Sequence, residues 1–143
     1  MKNLRNFVLL FTMVAGAVSA NAQAFRGTFQ LTSDTRWGQA VLPAGHYFLT
    51  LGSIQDSVLP AGVVEIHSAD WKVSAMAIAE FRGDAAPGGS YIVITGSGNY
   101  RQVRSLNLPQ LRRSLVFKPL TRRERETLGA TASQTVPVQL AKK

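Results

Sequence analysis

Residues 71–81 read WKVSAMAIAEF, and the fold turns on whether this stretch is a strand or a helix. As a strand, Trp71, Val73, Ala75, Ala77, Ala79 and Phe81 share one face, and the alternation runs through the whole segment. As a helix, it would be capped by Asp70, and its alanines have high helix propensity. Unbroken alternation predicts the strand.

The chain on either side supports that choice. Phe25–Leu31 sets Phe29 and Leu31 against Thr28 and Gln30, a period of two. A polar corner, 32–36, leads to Trp37-Gly38 and the short apolar stretch Ala40-Val41-Leu42. Leu42-Pro43-Ala44-Gly45 has Pro and Gly where a type I turn takes them, and His46–Leu51 is the returning strand. The same tetrapeptide recurs at Leu59-Pro60-Ala61-Gly62 before Val63–His67, either as a duplicated hairpin or as chance recurrence of a turn. Downstream, 84–90 is a loop, and Ser90–Thr95, Tyr100–Leu108 and Ser114–Lys118 read as strands. Thr121 and Glu124 have capping-box spacing, which predicts a short helix over 122–128 ending at Gly129. Val136–Leu140 alternates around Pro137 and is an edge strand or a loose tail. The expectation is an all-β sandwich or barrel of about 7–8 short strands with a short C-terminal helix.

The chain has 143 residues and no cysteine, which leaves room for one domain and excludes a disulfide scaffold, a thiolate metal site and a cysteine nucleophile. Residues 1–24 read as a secretory signal peptide. Lys2 and Arg5 precede the apolar run FVLLFTMVA, and small residues follow, with cleavage after Ala22 or Ala24. The apolar stretch is too short to span a bilayer, so no transmembrane segment is expected once the signal is removed. The division expected is a signal over 1–24, a β-rich domain over 25–128 and a tail over 129–143 that is an edge strand or disordered. The mature protein would reside in the periplasm or outside the cell.

The run FQLTSDTRWGQAVLPAGHY, Phe29 to Tyr47, resembles a family of short exported bacterial proteins of uncharacterised activity. Their pattern is WG-x-A-x-LPAG-x-Y, which Trp37, Gly38, Leu42, Pro43, Ala44, Gly45 and Tyr47 match. Residues 65–70 (EIHSAD) are similar to the family's I-x-S-x-DG segment, with Trp71 standing where the pattern has glycine. Residues 122–126 (RRERE) resemble its basic K-x-x-RE-x-E ending. The resemblance implies a β-rich exported domain and no particular activity.

Catalytic motifs are lacking. There is no G-x-S-x-G, and Gly96-Ser97-Gly98 reads as a turn. His46 and His67 have no spacing that suggests a triad, and a metal site from His67, Asp70 and distant His46 lacks the i, i+4 histidine pair. The acids Asp34, Asp56, Glu65, Asp70, Glu80, Asp84, Glu124 and Glu126 fall mainly at turns and strand ends, where solvated carboxylates sit. The expectation is a non-enzymatic binding or structural protein with no cofactor, a small hydrolase being the weaker alternative.

Charge is more informative. The formal net charge is +8, but residues 25–100 carry four bases and six acids, while 101–143 carry ten bases and two acids. Arginine forks suit carboxylate and phosphate oxygens. Arg101, Arg104, Arg112, Arg113, Arg122, Arg123 and Arg125 are therefore the candidate site for a polyanion, whether an anionic envelope polymer, a lipid surface or nucleic acid. The alternative is a solvated basic face.

Overall fold

The computed structural model describes residues 25–52, 61–118, 121–123, 126 and 133–141. The signal segment 1–24, Leu59 and Pro60 of the second turn, Asp56, Glu124, Arg125 and Gly129 lie outside the described residues.

The protein is all-β. Eleven strands are delimited: β1 (Phe25–Leu31), β2 (Thr35–Trp37), β3 (Ala40–Leu42), β4 (Gly45–Leu51), β5 (Ala61–Ser68), β6 (Ser74–Phe81), β7 (Tyr91–Thr95), β8 (Gln102–Leu108), β9 (Arg113–Phe117), β10 (Ser133–Pro137) and β11 (Gln139–Leu140). All belong to one hydrogen-bonded sheet of order β10-β7-β8-β9-β6-β5-β4-β1-β11, with β2 joined to β3 and β8. The expected seven or eight strands become eleven because β2, β3 and β11 are only two or three residues long, too short to show a period.

The two ends of that path are neighbours in sequence. β10 pairs with β7 and β11 pairs with β1, and only Val138 separates β10 from β11. One C-terminal segment thus spans both edges, and the sheet curls until they meet. Pro137 and Val138 mark the crossover: Pro137 has no N–H, and that of Val138 turns back to the Ser90 carbonyl at 2.9 Å. Glycine is needed nearby on β1, because a Cβ on Gly27 would lie 2.6 Å from Val138 Cγ1. The segment expected as an edge strand or disordered tail is, over 133–141, part of the sheet.

Inside the curl lies one apolar cluster that draws a residue from every strand from β1 to β10. Trp37 is fully buried, 5.5 Å from the Phe29 ring and 5.1 Å from that of Phe117. It arrives on a two-residue hairpin, β2–β3, whose first turn residue, Gly38, has φ +61°, as a type II′ turn requires. The alternation in 71–81 is present, but β6 starts at Ser74; Ala75, Ala77 and Ala79 face inward, while the larger Met76 and Ile78 face out. Small residues are needed inside because the hairpin turn lies over them: a Cβ on Gly38 would be 3.7 Å from that of Ala77.

The expected C-terminal helix is corrected. No helix of regular length is delimited among the described residues, although Arg122, Arg123 and Glu126 have helical backbone. In the expected span 122–128 (RRERETL) the single apolar residue is Leu128, and short helices gain most of their stability from an apolar face. No helix among the described residues is long and apolar enough to cross a membrane.

Candidate functional site

The candidate site is a groove at the crossover. β1 pairs with β11 only through Gly27↔Leu140 and Thr28↔Gln139, after which β10 swings away to β7. Continuing the β1–β11 register would place Ser33 opposite Gln134, and there Arg101 takes over from backbone pairing. Its Nη1 donates to Ser33 Oγ and its Nη2 donates to Gln134 Oε1 at 2.6 Å. The gap between β1 and β10 is thus pinned by strand pairing at one end and by an arginine strap at the other.

The resulting groove has a volume of 510 Å³ and is lined by residues of β1, β4, β10 and β11. Its polar lining is made of the hydroxyls of Thr28, Thr32 and Thr135, the amides of Gln30, Gln134 and Gln139, and the His46 imidazole. Phe29, Tyr47, Phe48, Val136 and Pro137 complete it. None of the lining residues is an Asp, Glu, Lys or Arg. Such a surface hydrogen-bonds an uncharged polar ligand and provides no carboxylate pair for acid–base chemistry.

The wall beside His46 is held rigidly. Tyr47 is buried and donates its hydroxyl to the Pro43 carbonyl at 2.7 Å, and Asp34 accepts the Ala44 N–H at 3.2 Å. Burial, then the negative charges of Asp34 and Asp70, push the Tyr47 phenol above its ordinary value. The LPAG-x-Y residues therefore hold a bend rather than the expected type I turn: Pro43 and Ala44 form no hydrogen-bonded turn, and β4 returns against β1 and β5, not against β3. The second LPAG has Val64 where the first has Tyr47, so it lacks the hydroxyl that closes the first.

A second turn, 68–73, adjoins the groove. Ala69 N–H donates to the His46 carbonyl at 3.0 Å. Asp70 Oδ1 accepts the Ser68 hydroxyl at 2.6 Å and the Lys72 N–H at 3.2 Å, and these bonds, that of Ser68 first, hold its carboxyl below the usual range. Trp71 has φ +60°, the left-handed conformation that favours glycine, so a tryptophan stands where glycine would be unstrained. Trp71 is 70% exposed, with its ring 4.9 Å from that of His67. His67 in turn is the cross-strand partner of Phe48, a groove residue. Trp71, His67 and Phe48 form an aromatic strip leading into the groove.

The candidate arginines stand in different surroundings. Arg101 is the strap. Arg104 falls at the bulge of β8 opposite Val93 and Ile94, with Nη1 buried and without a hydrogen-bond partner among the described groups. Arg112 ends the β8–β9 turn at φ +51°, and the Arg113 guanidinium lies 4.6 Å above the Phe81 ring. Arg122 Nε pairs with Glu126 at 3.0 Å, Arg123 also has an interaction partner, and Arg125 lies outside the described residues. The seven residues of β8 separate Arg101 from the Arg112–Arg113 turn. At ~3.3 Å per residue that is roughly 20 Å, beyond the screening length of physiological salt. Arg112 and Arg113 are adjacent, and Arg101 stands at the other end of β8.

No group of three or more His, Asp or Glu side chains able to hold a metal is found among the described residues. His67 is occupied by Trp71 and Asp70 by its turn, while His46 faces the groove. Sequence reasoning missed the groove because it depends on where β1 and β10 diverge. The visible signal was the set of uncharged polar residues facing outward in β1 (Thr28, Gln30) and β10 (Thr135). Comparison with protein-family models, with curated proteins and with solved structures gives no match.

Proposed function

We propose that this chain is an exported, non-enzymatic binding protein of the cell envelope or extracellular space, and that the groove between β1 and β10 holds its ligand. The observation that carries this reading is the groove's lining: hydroxyl, amide, imidazole and aromatic groups line one 510 Å³ space with no carboxylate among them, and the Arg101 guanidinium at its end is engaged by Ser33 and Gln134. The export signal read in residues 1–24 supports the location, and the barrel-like curl supplies a rigid frame. The separation of Arg101 from Arg112 and Arg113 argues against a polyanion surface as the main site.

Retention of the full chain on the insoluble envelope fraction tests this at low and high salt. The expected result is retention at both concentrations, lost in Gln30→Trp, which fills the groove, and unchanged in the Arg112→Ser, Arg113→Ser double variant. Loss at high salt and in the arginine variant, with Gln30→Trp unaffected, would overturn the groove in favour of charge-driven binding.

A further inference from the structure

We infer that the groove and the aromatic strip beside it form one extended site for an uncharged glycan, an inference that rests on the groove being the ligand site. Three features of this face lead there.

The first is orientation. Phe48 and His67 stand on β4 and β5, strands paired on both sides, β4 with β1 and β5, and β5 with β4 and β6. Their backbone groups are used within the sheet, so a ligand crossing this face meets side chains. The groove itself lies between edges of β1 and β10 that an extended peptide would pair with, so a peptide probe tests them. Over the strip only side chains are offered, which suits a sugar, since pyranose rings lay their C–H faces on aromatic rings and their hydroxyls meet amides and imidazole.

The second is the strain at Trp71. An exposed tryptophan in a left-handed backbone position costs stability that glycine would restore. Burial does not account for it, since the side chain is 70% exposed. A stacking surface at the mouth of a groove does.

The third is charge. The row next to the strip, Arg26–Thr50–Glu65–Met76, carries one charge of each sign, and Lys72 sits 3.4 Å from Asp70. The groove lining beside them is uncharged, and the Arg101 guanidinium at its end is taken up by Ser33 and Gln134, so the face presents no cluster of one sign to attract an ionic polymer.

Calorimetric titration of the full chain and its variants provides the test, with four probes: chitotetraose, cellotetraose, polygalacturonate and an uncharged Gln/Ser-rich decapeptide. Chitotetraose or cellotetraose is expected to bind, and the difference between them reports whether an acetamido group or a hydroxyl meets the glutamines. Trp71→Gly and Gln30→Ala are each expected to weaken that binding about tenfold or more. Trp71→Gly is also expected to raise the melting temperature, which separates lost stacking from lost structure. Binding of the peptide alone, abolished by Gln30→Trp, would overturn the glycan inference and leave the groove standing. Binding of polygalacturonate alone, unaffected by Gln30→Trp, would overturn both. Equal glycan binding by the wild type and both variants would also overturn the inference.

Discussion

Among the described residues, two take backbone conformations that their side chains disfavour, and they differ in what surrounds them. Trp71 and Arg112 both have positive φ, where an L-residue other than glycine is destabilised by roughly 1–2 kcal/mol. Trp71→Gly is expected to stabilise the protein by about 1 kcal/mol net of the lost His67 contact, read as an upward shift in thermal midpoint. The departure from glycine at position 71 was legible in the sequence; its meaning was not, because φ is a property of the closed turn. Tyr47 yields a pH prediction. Its phenol is held above the ordinary 10.0, so its contribution is complete below that pH and is lost as pH rises through the higher folded value. Tyr47→Phe is expected to cost about 0.5–1.5 kcal/mol near neutrality through the lost bond to Pro43, and to show a shallower fall in stability above about pH 10. Thermal melts of both proteins across the alkaline range check it.

At the level of elements, the alternation of 71–81 identified β6 and its inward alanines but not why they are alanines. That reason is the β2–β3 hairpin, which brings Trp37 into the interior and sets Gly38 above Ala77. Each arm of the hairpin has only three residues, so periodicity was silent and only the glycine in its turn hinted at it. Ala77→Leu is expected to destabilise by about 1–3 kcal/mol through overpacking, while Ile78→Ser on the outward face is expected to be nearly neutral. The buried amide of Asn107 holds the loop before β7 in the same indirect way. It accepts the Ala86 N–H at 2.9 Å and donates to the Ala86 carbonyl at 3.0 Å. Asn107→Leu leaves both loop groups unpaired and is expected to accelerate amide hydrogen exchange at Ala86 with a smaller effect in β5.

Across the whole molecule, the organising feature is the return of the chain's end to its beginning. The all-β class followed from alternation, whereas the crossover at Val138 joins residues more than a hundred positions apart and leaves no local trace. The basic charge read along the chain says nothing of where each arginine goes. It marks 101–143 as arginine-rich, yet folding sends Arg101 to the groove's far end and Arg113 onto Phe81. Gly27→Val should push Val138 aside and open the crossover. The expectation is a loss of about 1–3 kcal/mol, with increased protease cleavage near residues 138–141. The most direct test of the groove as the binding surface is an NMR titration of the full chain with soluble envelope glycan fragments. The side-chain amide signals of Gln30, Gln134 and Gln139 and the indole N–H of Trp71 are followed beside the Nε–H signals of Arg112 and Arg113. The prediction is that the glutamine and Trp71 signals move together while the arginine signals stay still; movement of the arginine signals alone would contradict it.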